Sequence, residues 1–186
     1  MLTVNFNPFP ILETENLLLR QFSLNDVSAF FEMRSNEKLM HFIPRPVATQ
    51  HKDVEDLINL MNNEIAENKS ISWAITLKNT GELLGSIGFV RMQKENHRAE
   101  IGYMLHYKYQ GKGLMHQAIT TCINYGFDTM KLHSIEAVID PANIASEKVL
   151  QKSNFIKEAH FKQNFFYKNE FLDTVHYGLL NPSITK

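Results

Sequence analysis

Apolar and polar positions along the chain change period several times, and each change marks an element. Residues 11–22, "ILETENLLLRQF", are dense in Leu and Ile and predict a first strand. In "SLNDVSAFFEMRSNEK", Val27, Phe30, Phe31 and Arg34 recur at helical spacing. Ser23 or Asn25 is available to cap that helix, and Asp26 suits its positive end. "HFIPRPVATQ" is broken by Pro44 and Pro46 and predicts a loop. Thr49 is then expected to cap a second helix, with Val54, Leu57, Ile58, Met61 and Ile65 on one apolar face.

The middle of the chain shifts towards strands. "ISWAITLK" (71–78) alternates, "NTGE" reads as a turn, and "LLGSIGFVRM" (83–92) is a second strand weakened by Gly85 and Gly88. "RAEIGYMLHY" (98–107) is a third, where Gly102 suggests a bulge or a close backbone approach. A helix over 113–130 follows, with Ile119, Cys122, Ile123 and Phe127 on its inner side. "HSIEAVID" is a buried strand ended by Pro141. "NIASEKVLQKS" is a helix with Asn143 at its cap and Glu147 early. Residues 154–180 hold two strands around "YKNE". The order β α α β β β α β α β β predicts an α/β chain with a mixed, mostly antiparallel sheet of about seven strands and about four helices. A length of 186 residues predicts one domain over 1–186.

Charge and cysteine content narrow the function classes. A formal net charge of −1 argues against a protein that coats nucleic acid. The lone cysteine, Cys122, forms no disulfide within the chain and predicts a reducing compartment. The eight histidines have neither helical i, i+4 pairs nor a Cys cluster beside them, so no metal site is expected. No run approaches the ~18 apolar residues of a membrane span, and the opening "MLTVNFNPFPILETENLLLR" lacks a basic region followed by an apolar core. The expectation is a cytoplasmic protein with no membrane partner.

The candidate chemistry starts at "HYKYQGKGLMHQA" (106–118). Gly111 and Gly113 stand where a helix begins, so unpaired N–H groups and a positive dipole end lie open to an anion. Lys108 and Lys112 add charge. The other reading is a loop that needs glycine for its own backbone. A P-loop does not fit, because Lys112 is followed by Gly113 and Leu114. A Rossmann fingerprint does not fit either, because His116 stands at the third glycine.

Lys108-Tyr-Gln-Gly111-Lys-Gly113 resembles the cofactor motif of the GNAT N-acetyltransferases, with Lys in place of the usual Gln or Arg. A second motif of that family is similar to Asn143-Ile-Ala-Ser146 with Val149-Leu150 and Asn154-Phe155. Asn154 takes a glycine slot, and Asn also tolerates a left-handed helix end. "LETENLLLRQFSLND", "AEIGYML" and "FFYKNEFLDTVHYGLL" look like the RimJ/RimL branch, which acetylates N-termini of ribosomal proteins.

The resemblance implies the acyl-CoA N-acyltransferase fold, with a V-shaped splay between the fourth and fifth strands. It implies acetyl-CoA as acyl donor, held by the backbone of Tyr103, Met104 and Leu105 and by Gln110, Gly111, Lys112, Gly113, Leu114 and Met115, with Asn143 and Ser146 nearby. A primary amine, at a protein N-terminus or on a small molecule, would attack the thioester directly. Glu100 is then the expected base, acting through water, or else a carboxylate paired with Arg91 or Arg98. Ser146 is the expected acid at the leaving sulfur, or else a hydroxyl bonded to its own helix. Leu150 occupies the tyrosine slot that other family members use. Tyr107 and Tyr109 would pack on the cofactor or on the sheet, and Gln117 stands where the branch often has Glu. The loop at Pro44 and Pro46, the second helix and the hairpin at 165–170 should wall the acceptor. Trp73, Phe89 and Phe42 read as core before lining. A homodimer through the C-terminal strands is implied. The alternatives are a silent acyl-CoA-binding sensor and a nucleotide binder.

Overall fold

The computed structural model describes residues 1–184. One eight-stranded sheet carries the fold. Its strands are β1 (Leu12–Glu13), β2 (Leu17–Arg20), β3 (Ile71–Leu77), β4 (Leu83–Gln93), β5 (Arg98–Leu105), β6 (Ser134–Ile139), β7 (Ile156–Tyr167) and β8 (Glu170–Leu180). The helices are α1 (Val27–Arg34), α2 (Glu37–Met40), α3 (His51–Ala66), α4 (Leu114–Asn124) and α5 (Ile144–Lys152). Spatial order is β1-β2-β3-β4-β5-β6-β8-β7. Every neighbouring pair is antiparallel except β5 and β6.

Several boundaries differ from the sequence reading for local reasons. The expected strand at 11–22 is a tight β1–β2 hairpin, because Thr14 Oγ1 accepts the Leu17 N–H at 2.9 Å and turns the chain. That makes eight strands instead of seven. A fifth helix, α2, forms where Asn36 Oδ1 accepts the N–H groups of Lys38 and Leu39 at 3.0 and 3.2 Å. Ser23, not Asn25, precedes the first helical turn, and its N–H donates to Asp26 at 2.8 Å. The cap of α3 is Gln50. Thr49 sits one residue outside and donates through Oγ1 to Asp53 at 3.0 Å. The helix expected to reach residue 130 opens into a π-turn over Tyr125–Thr129. Gly102 carries no bulge, since β4 and β5 stay in register across Gly88 and Gly102. The irregularity lies between Val90 and Gln93, where Arg91 takes a φ of +46°.

The period-two alternation of β3 sorts its side chains onto the two faces. Ala74 packs with Leu83 and Met104 under Phe30, Met33, Val54 and Ile58 of α1 and α3. Trp73, Ile75, Ile87, Phe89 and Ile101 pack on the other face under Ile119 and Cys122 of α4 and Leu150 of α5. Burying each such large side chain contributes about 1.5–3 kcal/mol. Trp73 and Phe89 are fully buried, and Trp73 Nε1 donates to the Pro10 carbonyl at 2.7 Å, so neither lines a site. Cys122 is also core, and burial pushes its thiol far above the ordinary value.

Gly85 was expected to weaken β4. Instead, a Cβ there would overlap the Met104 carbonyl oxygen, so only glycine lets β5 lie this close.

Candidate active site

The site begins where the sheet stops pairing. β5 and β6 share three rungs, Arg98 with Ser134, Ala99 with Ile135 and Glu100 with Glu136, and then diverge. The bulge in β4 lies level with those last rungs and adds local twist. Beyond Glu100, β5 stays paired to β4 alone as far as Leu105. Antiparallel strands turn alternate residues to alternate sides. His106 N–H bonds the Leu84 carbonyl at 2.7 Å, so Met104, two residues back, also turns its backbone to β4. Tyr103 and Leu105 therefore turn theirs to the opening, where Gln110 Nε2 donates to the Leu105 carbonyl at 2.9 Å.

Two cavities meet in this opening. The larger, about 1230 Å3, runs from α2 past Tyr103, Met104 and Leu105 to Gln110, Gly111, Gly113, Leu114 and Met115. Its charged lining is Lys38, Lys148 and Lys152 against Glu37, so it favours an anionic ligand. The smaller, about 280 Å3, holds Glu100, Arg91, Arg45, Asp140, Asp173, Phe165 and Tyr167. Phe42, Ile43, Tyr103, Asn143 and Ser146 line both. Phe42, read as core, is a half-buried wall of both cavities instead. The hairpin contributes Phe165 and Tyr167 as expected, while no residue of α3 lines either cavity.

At the far end of the larger groove, Gly111 and Gly113 both adopt φ +75°. Gly113 is the N-cap of α4, and that left-handed conformation strains any residue with a Cβ. The first helical bond there runs from Gln117 N–H to the Gly113 carbonyl at 3.2 Å, so Leu114, Met115 and His116 offer N–H groups at the mouth of α4. Lys112 does not line the groove; its Nζ lies 5.3 Å from the Tyr109 ring centroid. The Tyr109 hydroxyl bonds Glu82, and Tyr107 stacks on His106 with centroids 4.4 Å apart. His116 also lines the groove, with Nδ1 3.0 Å from Ser153 Oγ; burial and the charge of Lys152 lower its pKa. Gln117 ties α4 to the first hairpin, accepting from Thr14 Oγ1 at 3.0 Å.

α5 brings the second motif to the junction. Asn143 Oδ1 caps it by accepting the Ser146 N–H at 3.1 Å. At its other end Asn154 takes φ +64°, the left-handed stop that its glycine slot demands, and the Phe155 N–H closes on the Leu150 carbonyl at 3.0 Å. Glu147 anchors the helix by accepting from the Tyr177 hydroxyl at 2.6 Å; burial, then that carboxylate, pushes the phenol up to about 12. Ser146 therefore faces both cavities from a fixed first turn.

Glu100 lies in the smaller cavity. Its Oε2 accepts from Arg91 at 2.6 Å, and its side chain is 13% exposed against 54% for Arg91. Arg98 pairs with Glu136 instead. The Tyr103 side chain was missed in the sequence. Its hydroxyl is buried, with no hydrogen bond of good geometry and the Ser146 hydroxyl as its polar neighbour. The available signal was a phenol in the otherwise apolar row Ala99, Ile101, Leu105. Among the described residues, no group of three or more His, Cys, Asp or Glu is placed to hold a metal ion, and no helix is long and apolar enough to cross a membrane.

Comparison with known proteins agrees with this geometry. Residues 16–156 match the family model described as Acetyltransferase (GNAT) domain. An uncharacterized N-acetyltransferase of Bacillus subtilis (strain 168), YoaA, is 32% identical over 177 residues, covering 94% of this chain and 98% of that protein. The [ribosomal protein uS5]-alanine N-acetyltransferase of Escherichia coli (strain K12) is 32% identical over 105 residues, 56% of this chain and 54% of that one. The crystal structure of a GNAT-family acetyltransferase from Bacillus anthracis superposes with a TM-score of 0.84 at 31% identity, covering 92% and 99% of the two chains. The chain belongs to the GNAT family of N-acetyltransferases, with ribosomal-protein N-acetyltransferases among its relatives.

Proposed function

We propose that this protein transfers an acetyl group from acetyl-CoA to the primary amine of a protein N-terminus, by direct attack when both substrates are bound. The observation that carries this reading is the meeting of a long, lysine-lined groove with a small cavity at Tyr103, Asn143 and Ser146. The groove's residues suit coenzyme A. Gly111 and Gly113 hold φ +75°, and a Cβ on either would meet no protein atom within 4 Å, so the loop leaves backbone open to a phosphate. The N–H groups of Leu114, Met115 and His116 and the charges of Lys148 and Lys152 would hold the pyrophosphate end, while Tyr103 and Leu105 backbone would pair with the pantetheine amides. When bound, the cofactor supplies an activated acyl thioester.

The chain's own groups then divide the work. Glu100, held by Arg91, takes the amine's proton through water. The Leu105 N–H, turned to the opening, meets the negative charge that develops on the acyl oxygen. Ser146 faces the leaving sulfur. The small cavity admits the amine and a short side chain between Phe42, Phe165 and Tyr167. The uS5-alanine N-acetyltransferase among the relatives favours an N-terminal acceptor. One catalytic domain spans the chain and works in the cytoplasm. Phe161, Phe166 and Phe171, exposed on the β7–β8 hairpin at the sheet's edge, suit a homodimer contact.

The test is calorimetry of the purified protein with acetyl-CoA, with ATP and NAD as controls, followed by mass spectrometry of N-terminal peptides. Selective acetyl-CoA binding and a gain of one acetyl group at an α-amine are expected. A folded sample that binds ATP or NAD and not acetyl-CoA refutes the reading.

A further inference from the structure

The junction of the two cavities holds a polar atom that the fold itself does not use. Five residues line both cavities, and the side chains of Phe42 and Ile43 are apolar. Asn143 has its side-chain oxygen committed to the Ser146 N–H. The side-chain donors of the junction are then the Asn143 amide N–H groups and the hydroxyls of Tyr103 and Ser146. Tyr103 Oη is one of two buried side-chain polar atoms among the described residues that make no hydrogen bond of good geometry, with only the Ser146 hydroxyl beside it; the other, Arg98 Nε, belongs to a guanidinium already paired with Glu136. A buried hydroxyl without a well-formed hydrogen bond is costly, and in a native structure it points to a catalytic role or to a water or ion that completes it.

The surroundings say what kind of ligand atom would complete it. Tyr103 stands beside Ser146 in the first turn of the nine-residue α5, whose N-terminal end favours negative charge. The phenol stays protonated: burial, against the opposing effect of the Ser146 hydroxyl, pushes it far above its ordinary value. It is therefore a hydrogen-bond donor and a poor source of a transferable proton.

We propose that the Tyr103 hydroxyl, together with Ser146, donates a hydrogen bond to the sulfur of the acyl donor and stabilises it as it leaves as a thiolate. This rests on the acetyl-transfer reading above. The amine lone pair forms the N–C bond, the C–S bond breaks, and sulfur keeps the bonding pair. The amine's proton goes to Glu100 through water, and Tyr103 keeps its own proton throughout.

The experiment compares the whole chain with its Tyr103→Phe variant in three measurements. The ionisation of bound coenzyme A is followed by its ultraviolet thiolate absorbance across pH; the thermal midpoint and the kinetic constants are measured beside it. In the variant the bound thiol's pKa rises by about one pH unit, as expected for loss of one charge-assisted hydrogen bond. The catalytic rate falls about tenfold with KM for acetyl-CoA unchanged. The thermal midpoint stays level or rises, because a buried hydroxyl without a well-formed hydrogen bond has been removed. A variant that loses its fold or unfolds at clearly lower temperature overturns the proposal, since the hydroxyl is then structural. A slower variant with an unchanged bound-thiol pKa overturns it too, since the hydroxyl then serves another atom. If the wild-type chain binds no coenzyme A, the transferase reading itself fails; if it binds and the variant's thiol titrates identically, only the role of Tyr103 falls.

Discussion

Gly113 offers the sharpest separation of structure from function. It caps α4 at φ +75° and ψ −1°, a left-handed conformation. A Cβ added there would meet no protein atom within 4 Å, so the penalty of Gly113→Ala is conformational and not steric. The left-handed region costs a residue with a Cβ about 1–2 kcal/mol. For a protein of this size each kcal/mol moves the thermal midpoint by roughly 2–4 °C. The Ala variant should therefore melt about 2–8 °C lower. Asn tolerates the left-handed region, so Gly113→Asn should recover most of that loss. Binding should not recover, because both side chains stand where a phosphate would approach the backbone. Losing one charge-assisted hydrogen bond costs about 1.5–3 kcal/mol, which weakens coenzyme A binding roughly 10- to 150-fold. Differential scanning calorimetry and isothermal titration of wild type and both variants read the two quantities apart. An Asn variant that melts like wild type and also binds coenzyme A like wild type would refute the phosphate cradle.

Further outcomes follow from the same geometry. Glu100→Gln should lower the turnover rate about 10²- to 10⁴-fold while acetyl-CoA still binds; an unchanged rate would make Glu100 only the partner of Arg91. Gly85→Ala should leave little folded protein, because its Cβ meets the Met104 carbonyl oxygen, and normal circular dichroism and yield would contradict that packing. Asp26 should give acid sensitivity. Burial alone would raise its carboxyl, but the hydrogen bonds from Arg20 and from the Ser23 N–H hold it below the ordinary value of 3.8. A lowered carboxylate stabilises the fold above its unfolded-state pKa, and that stability is lost as pH falls through the lower folded-state pKa. Asp26→Asn should therefore cost about 1.5–3 kcal/mol near neutral pH, with the gap to wild type closing below about pH 4. A gap that does not change in denaturant melts across that range would count against the ion pair.

Much of the fold was legible because its signals are local. The face of Val54, Ile58 and Ile65, the turn before "GELLG" and the left-handed stop at Asn154 are each set by a few neighbouring residues. The hairpin turn at Thr14 and the short helix at Asn36 depend on a single side chain bonding back to the main chain, and hydropathy does not register that. The bulge moved from Gly102 to Arg91 because pairing is decided jointly by two strands, and one strand's glycine does not fix it. The site divides the same way. Residues in continuous motifs that line the groove, such as Gly111, Gly113 to Met115, Asn143 and Ser146, could be named from the chain. The wall at Phe42 and the choice of Arg91 over Arg98 for Glu100 depend on segments that only the folded sheet brings together. The Tyr103 hydroxyl was hidden for a different reason: its position looks like ordinary core until the absence of a well-formed hydrogen bond is seen.

The three-rung seam between β5 and β6 has an evolutionary consequence. A sheet gains stability by pairing more of its edge, yet every further rung here would close the opening towards which Tyr103 and Leu105 turn their backbone. Selection for a sturdier molecule and selection for a working one thus act in opposite directions on the same few peptide groups. Substitutions that harden this protein without silencing it should collect elsewhere, on the outer strands and on α1 and α3, and a library sorted for heat resistance alone should drift towards a shut, inactive sheet.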